Sequence, residues 1–281
     1  MSSGMDFAQI GVAGLTLFAA GLVLAGLFSG VIAGLLGVGG GIVIVPVLYH
    51  FFSVLGIDES VRMPLAVGTS LATIIPASIR SNATHRKKGA VDDALLRSWL
   101  LPVVGGVIAG SLVAQIIGGH GLTLVFATLA LVVAAYMAFG KEAWRLGTAL
   151  PQGLGRIAIA GSIGFFSTLM GIGGGTFGVP TMTLFGMPVH RAVGTSSGLG
   201  LIIGIPGTLG FILSGWDVAH RPPFSLGYVN LMGLALIVPA TWLSVPWGVD
   251  LAHRLSRKAL SRAFAVFLGA TSIKMFIAVF T

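Results

Sequence analysis

The sequence predicts an all-α polytopic membrane protein with two inverted repeats of about five membrane elements each and broken or re-entrant helices at two glycine motifs. Composition and an internal repeat support this prediction. The 281 residues are 55% hydrophobic and 9% charged, with a mean hydropathy of +0.99, whereas a soluble domain has roughly 25% charged residues. At about 20 residues per span, some seven to ten membrane elements fit, which leaves little chain for a soluble domain.

The first half of the chain is expected to hold two short apolar elements followed by three longer ones. These elements cover about residues 7–36, 42–56, 64–79, 94–117 and 122–139. The first two meet at a glycine-rich break. Residues 57–62 are expected to form a loop, residues 80–88 the most basic loop of this half, and residues 118–121 a short connection.

The glycine break occurs twice, each time followed by the same motif. Residues 36–41 read Leu-Gly-Val-Gly-Gly-Gly and residues 170–175 read Met-Gly-Ile-Gly-Gly-Gly, each with a proline five residues further on. Ala-Val-Gly-Thr-Ser then stands at 66–70 and again at 192–196. Such ordered self-similarity indicates a duplicated unit.

The domain boundaries follow from this duplication. Residues 1–140 are assigned to the first repeat, 141–155 to a cytoplasmic linker and 156–281 to the second repeat of a single membrane domain.

Basic residues in short loops indicate that the two repeats face opposite ways, because such loops stay on the cytoplasmic side. In the first half the loop between the third and fourth elements carries Arg86, Lys87 and Lys88. In the second half the basic residues lie one loop later, between 254 and 262. Opposite orientation requires that each repeat crosses the membrane an odd number of times. Five crossings meet this requirement, and so do three crossings together with a re-entrant pair. A parallel repeat of four spans is the alternative.

This orientation predicts the cellular location of the chain. The linker falls inside, both termini fall outside, and the protein is expected in the plasma (inner) membrane. The first apolar run has no basic region before it, so we interpret it as mature protein and not as a signal peptide.

The breaks are the predicted binding site for a small anion near the membrane midplane. Helix N-termini present free N–H groups and a favourable dipole to anions, and inverted repeats with broken helices are typical of secondary transporters. The candidate residues are Gly39, Gly40 and Gly41 in the first break and Gly173, Gly174 and Gly175 in the second. The alternative is that these glycines only let helices pack closely.

Five hydroxyl side chains are expected at the same depth, in the span after each break. They are Thr69, Ser70, Thr195, Ser196 and Ser197. Their alternative role is a hydrogen bond to a carbonyl one turn earlier in the same helix. Arg191 stands just before the second motif, where it is expected either to attract an anion or to anchor the helix end at the cytoplasmic face.

The remaining composition excludes several functions. The chain has no cysteine, which excludes disulfides and thiolate chemistry, and its net charge of +8 is spread over short loops, so no nucleic-acid partner is expected. All eight acidic residues lie in loops or at span ends, which disfavours a carboxylate proton relay. No histidine motif with metal spacing and no P-loop is present, so no metal, no cofactor and no enzymatic activity is expected.

The doubled Gly-X-Gly-Gly-Gly break, each copy followed by Pro and then Ala-Val-Gly-Thr-Ser, resembles the TauE/SafE sulfite-exporter family of membrane transporters. The likeness covers nearly the whole chain, including the Gly89-Ala90-Val91-Asp92 end of the basic segment. It implies transport, usually export, of a sulfur anion such as sulfite, thiosulfate or an organosulfonate. A passive anion channel or a membrane subunit of a larger complex are the alternatives. The expected partners are a small anionic substrate and the lipid bilayer, and the oligomeric state stays open.

Overall fold

The computed structural model describes residues 12–36, 40–139, 145–219, 221–251 and 257–280. These segments form nine helices and one very short hairpin. The helices are α1 (Val12–Leu36), α2 (Gly41–Val54), α3 (Glu59–Lys87), α4 (Asp93–Phe139), α5 (Gly153–Met170), α6 (Gly175–Leu184), α7 (Val189–Ser214), α8 (Leu231–Leu251) and α9 (Arg257–Phe280). The strands β1 (Ser225–Leu226) and β2 (Val229–Asn230) pair antiparallel just before α8.

Apart from this hairpin and the connections between helices, the described chain is helical, which confirms the predicted all-α membrane class. Four described helices, α4, α5, α7 and α8, are long and apolar enough to cross a membrane. Shorter apolar stretches occupy residues 19–35, 41–54 and 265–278. The long α4 contains a kink at Gly118, whose φ of 65° and ψ of −172° are not helical, so α4 comprises the predicted fourth and fifth elements.

The first glycine break folds α2 back against α1. Gly40 adopts a φ of 75°, a left-handed conformation that favours glycine. Its carbonyl accepts a hydrogen bond from Ser29 Oγ at 3.1 Å, so the chain after the break lies beside the middle of α1. With 14 residues, α2 is about 21 Å long, which is shorter than the roughly 30 Å hydrocarbon core. Gly37, Val38 and Gly39 lie outside the described residues.

The second break forms a similar helical hairpin. Gly171, with a φ of 63°, ends α5, and the Ile172 and Gly171 amides donate to Ser167 O at 2.9 Å and Thr168 O at 3.1 Å. This pattern closes a helix at a left-handed glycine. The ring centroids of Phe166 in α5 and Phe177 in α6 are 6.2 Å apart, so α6 runs back along α5.

Two predicted loops were wrong, because α3 covers most of both. The Asp58 side chain caps α3 by accepting from Ser60 N at 2.9 Å, so the helix starts inside the predicted loop 57–62. At its other end α3 continues through the basic segment to Lys87. Its 29 residues extend about 43 Å, which exceeds the roughly 30 Å hydrocarbon core, so α3 is long enough for its basic turns to lie outside that core. Helix α5 also begins at Gly153, inside the predicted linker.

The α3 and α7 helices cross the centre of the molecule in antiparallel directions. A Cβ on Gly68 of α3 would lie 3.0 Å from Phe211 Cβ near the end of α7, whereas Ser78 of α3 lies against Gly200 of α7. Around this pair, α1 packs on α8 and α5 packs on α4. Each outer pair therefore joins a helix of one half to a helix of the other.

Candidate functional site

Equivalent threonines of the two halves make the same hydrogen bond to the opposite half. Thr69 Oγ1 in α3 accepts from the Asn230 amide at 2.8 Å. Thr195 Oγ1 in α7 accepts from the Asp92 amide at 3.0 Å. Both threonines are fully buried. Because α3 and α7 are antiparallel, these two bonds lie towards opposite ends of the interface between the halves.

Glycines at equivalent positions also repeat their contacts. In each case a Cβ added to the glycine would overlap a backbone carbonyl of the other half. The pairs are Gly68 with Tyr228 O and Gly194 with Ala90 O, and Gly248 with Val31 O and Gly110 with Phe165 O. Only a residue without a side chain allows helices to approach this closely. The two halves therefore contact each other through a duplicated set of small residues.

The two glycine breaks come together at the centre of the molecule. A Cβ on Gly41, at the start of α2, would overlap the Gly171 carbonyl oxygen and lie 3.0 Å from Ile172 Cα. Ser70 Oγ of α3 donates to the same Gly171 oxygen at 2.7 Å. The N-terminus of α2, the motif in α3 and the end of α5 therefore meet at one point.

Most of the predicted site residues are buried, but they do not all lie at one point. Gly41 and Ser70 meet the second break. Thr69 and Thr195 instead lie towards opposite ends of the interface between the halves. Gly40, Gly41, Gly173, Gly174 and Gly175 are all buried, as are the five hydroxyl residues. Gly39 lies outside the described residues. A Cβ on Gly174 would overlap Leu199 Cβ of α7, so this glycine also has a packing role.

The five predicted hydroxyls divide into two groups by their hydrogen bonds. Thr69, Thr195 and Ser70 bond to backbone groups of the opposite half, as described above. Ser196 Oγ donates to Val193 O at 2.8 Å and Ser197 Oγ to Gly194 O at 2.6 Å. Ser196 and Ser197 therefore make the hydrogen bond to a carbonyl one turn earlier that was the alternative role for the five hydroxyls. Anion binding by any of the five stays a prediction.

Arg191 is paired with an acidic residue of the other half. Its Nη2 atom lies 2.8 Å from Asp92 Oδ2, and the two side chains are 56% and 17% exposed. Asp92 is the residue whose amide donates to Thr195, so the ion pair lies at one end of the contact between the halves. An exposed pair of this kind contributes about 0–1 kcal/mol to stability.

Sequence reasoning missed Asn82, which joins the two halves beside this pair. Its Nδ2 lies 3.3 Å from Ser197 Oγ, and its Oδ1 accepts from Arg86 Nε at 2.7 Å. Arg86 in turn pairs with Asp93 at the start of α4. Treating residues 80–88 as a loop hid Asn82, because only a continuous α3 places this side chain on the face towards α7.

Two further hydroxyls were also missed, and both flank the second break. Ser167 in the last turn of α5 is fully buried, and Thr176 in the first turn of α6 is 7% exposed. Within the described chain neither hydroxyl has a hydrogen-bond partner. An unsatisfied buried polar group costs about 1–3 kcal/mol. The sequence does carry a signal for Thr176. It directly follows the glycines of the second break, whereas Ile42 stands at the equivalent position of the first break.

Comparison with known proteins gives a consistent result over most of the chain. The family described as sulfite exporter TauE/SafE matches residues 22–275. A probable membrane transporter protein of Haemophilus influenzae is 33% identical over 91% of this chain and 97% of its own length. Probable membrane transporter proteins of Methanocaldococcus jannaschii and Bacillus subtilis are each 28% identical, over 90% and 88% of this chain and 94% and 93% of theirs. No solved structure matches.

Proposed function

Because the chain belongs to the TauE/SafE sulfite exporter family and is a multi-pass membrane transporter, we propose that it exports a small sulfur-containing anion. The substrate class comprises sulfite, thiosulfate and small organosulfonates, and the binding site is the point where the two glycine breaks meet. The convergence of Gly41 and Gly171, bridged by Ser70, is the observation that carries this proposal.

The physical basis of anion binding is the polar backbone at this point. The first amides of α2 and α6 have no acceptor within their own helices, because a helix leaves its first N–H groups unpaired. In the membrane interior such groups require a partner from protein, water or ligand. Glycine lets a ligand approach this backbone closely, and the helix dipoles favour a negative charge. A substrate oxyanion satisfies these requirements with no fixed countercharge.

The duplicated contacts support a two-fold relation between inverted repeats, and alternating access is the transport mechanism that we propose on this basis. The bond between Thr195 and Asp92 holds one end of the interface, and the bond between Thr69 and Asn230 holds the other. Rotation of one repeat against the other opens one end and keeps the other closed. The substrate between the breaks is then exposed to one side of the membrane at a time.

The charge distribution supports one orientation of the transporter in the membrane. Arg86, Lys88 and Arg191 lie at one end of the bundle, where Lys88 also pairs with Asp250 at 3.3 Å. By the positive-inside rule this end is cytoplasmic. The start of α1 and the end of α9 then lie on the opposite side, so both termini lie on the outer side of the plasma membrane.

Flux measurements on purified protein in proteoliposomes test the proposal. Sulfite, thiosulfate, sulfoacetate, taurine and sulfate form the substrate panel. A transporter gives saturable flux that depends on a counter-ion, whereas near-linear unitary conductance identifies a channel instead. Absence of flux for every compound contradicts the proposed function and favours a subunit of a larger complex.

A matched pair of glycine variants tests the location of the site. Gly41→Ala places a methyl group against the Gly171 carbonyl and is expected to abolish flux, whereas a Cβ on Gly105 in α4 meets no atom within 4 Å. Gly105→Ala is therefore the control, with flux like the wild type. Normal flux through Gly41→Ala protein would exclude the convergence of the breaks as the substrate site.

A further inference from the structure

The two glycine breaks differ in the chemistry of the residues that flank them. Ser167 precedes the second break and Thr176 follows it, and both hydroxyls are buried without a partner in the described chain. The equivalent positions of the first break are Ala33 and Ile42, which are 1% and 2% exposed. The first break does carry Ser29, whose hydroxyl is already bonded to Gly40 O. Of these described positions, only those beside the second break carry hydroxyl groups without a hydrogen-bond partner.

From this difference we propose that Thr176 and Ser167 bind the oxygen atoms of the substrate and thereby fix the orientation of the substrate in the site. The oxyanion end of the substrate lies at the second break, and its apolar end lies at the first break against Ile42. This proposal rests on the proposed function and specifies which residues select the substrate.

The position of Thr176 supports its role as a donor to an anion. It is the second residue of α6, a helix of ten residues. Side chains in a helix tilt towards its N-terminus, so the Thr176 hydroxyl is directed to the end where the first amides of α6 are unpaired. Helix amides and a hydroxyl at one helix end form a set of donors that suits an oxyanion.

The unpaired state of both hydroxyls also distinguishes them from their neighbours. Thr168, next to Ser167, donates to Gly164 O at 2.8 Å, and Thr181, further along α6, donates to Phe177 O at 2.7 Å. Buried hydroxyls in proteins nearly always find a partner. Ser167 and Thr176 do not use the back-bond available to them, and a bound anion supplies the missing acceptor.

The asymmetry selects among the sulfur anions. Sulfate presents oxygen atoms in every direction, so one of them would face the apolar first break and lose its hydration without a partner. An alkanesulfonate has three oxygens at one end and a hydrocarbon group at the other, which matches both breaks. We expect ethanesulfonate to bind the purified protein more tightly than sulfate.

Calorimetric titration of ethanesulfonate and sulfate into purified variants tests the proposal. Thr176→Val is expected to weaken ethanesulfonate binding about tenfold or more, as for a lost hydrogen bond to a charged oxygen. Thr176→Ser, which keeps the hydroxyl, is expected to bind like the wild type. Thr181→Val is the matched control in the same helix, and it too is expected to leave the affinity unchanged.

Two more variants keep the proposal testable if Thr176→Val fails to fold. Ser167→Ala removes the second hydroxyl with minimal change in volume and is expected to weaken binding similarly. Ile42→Thr supplies the first break with a hydroxyl, so the preference for ethanesulfonate over sulfate is expected to fall.

The possible results separate this proposal from the proposed function. Unchanged affinity in Thr176→Val or Ser167→Ala, with a wild-type protein that binds ethanesulfonate, overturns the role of these hydroxyls and leaves the transporter proposal intact. A wild-type protein that binds sulfate as tightly as ethanesulfonate overturns the directional site. A wild-type protein that binds no sulfur anion at all contradicts the proposed function itself.

Discussion

Thr195→Val and Thr69→Val are expected to shift the conformational equilibrium of the transporter in opposite directions. Each substitution keeps the shape of the side chain and removes the oxygen that accepts a buried amide of the other half, Asp92 N at 3.0 Å or Asn230 N at 2.8 Å. The Thr195 bond holds the basic end of the interface closed, and the Thr69 bond holds the other end. Loss of either bond favours the state in which its own end is open.

The magnitude follows from the burial of the amide. An unpaired buried N–H costs about 1–3 kcal/mol, and it regains water only when its end of the interface opens. The ratio of open to closed states at that end is therefore expected to rise about 5- to 150-fold. Thr128→Val is the control, because Thr128 is exposed on α4 and bonds to Leu124 O in its own helix.

Thiol labelling measures this equilibrium directly, since the chain contains no cysteine. Ser78→Cys places one thiol between α3 and α7 at a position that is 2% exposed. The rate of reaction with a membrane-impermeant maleimide is measured from each side in oriented vesicles. In the Ser78→Cys background, Thr195→Val is expected to accelerate labelling from the cytoplasmic side and Thr69→Val to slow it. Shifts in the same direction, or no shift in either variant, would refute alternating access through these two contacts.

Three further predictions concern the contact between the halves. Gly68→Ala and Gly194→Ala, which each place a methyl group against a carbonyl of the other half, are expected to lower the melting temperature by similar amounts; a loss in one variant alone would contradict the equivalence of the two contacts. Oxidation of an Asn82→Cys/Ser197→Cys variant, whose native side-chain atoms are 3.3 Å apart, is expected to stop flux and reductant to restore it, whereas flux that continues in the cross-linked protein would show that this end does not open. Arg191→Gln is expected to leave the melting temperature unchanged, because an exposed ion pair contributes about 0–1 kcal/mol, and a drop of several degrees would contradict that estimate.

The helical membrane class and the helix stop at Gly171 were predictable from the sequence, because they depend on local properties. Apolar composition identifies spans, and consecutive glycines disfavour helix. The helix boundaries of α3 were not predictable in the same way. Its ends carry charged residues that are typical of loops, yet Asp58 caps one end and Asn82 contacts Ser197 of α7 near the other. Such interactions depend on neighbours that composition does not reveal.

The candidate site was predictable in its glycine and hydroxyl motifs but not in its hydrogen bonds. The sequence places Thr69 and Thr195 at equivalent positions, and nothing local indicates that they accept amides from the opposite half. Likewise, the sequence contrasts Thr176 with Ile42 of the first break, but it does not show that the Thr176 and Ser167 hydroxyls are unpaired while Thr168 and Thr181 have partners. A sequence shows which donors exist, whereas only the packing shows which of them are already used.

In the proposed alternating-access cycle, differences between the two repeats are expected to make the inward and outward states unequal in energy. Two identical inverted repeats would give states of equal free energy, because a two-fold rotation about an axis in the membrane plane converts each state into the other. Here Asp92, paired with Arg191, stands where the second repeat has Asn230, so one end has an ion pair that the equivalent position at the other lacks. Asn82 adds a bond to Ser197 at the same end. These two contacts, of up to about 1 kcal/mol each, favour the state in which the basic end is closed, and a bias of up to about 2 kcal/mol leaves the other state about 3% populated or more. We therefore expect the protein without substrate to rest closed towards the cytoplasm, and a substrate that favours opening at the basic end has to overcome this bias.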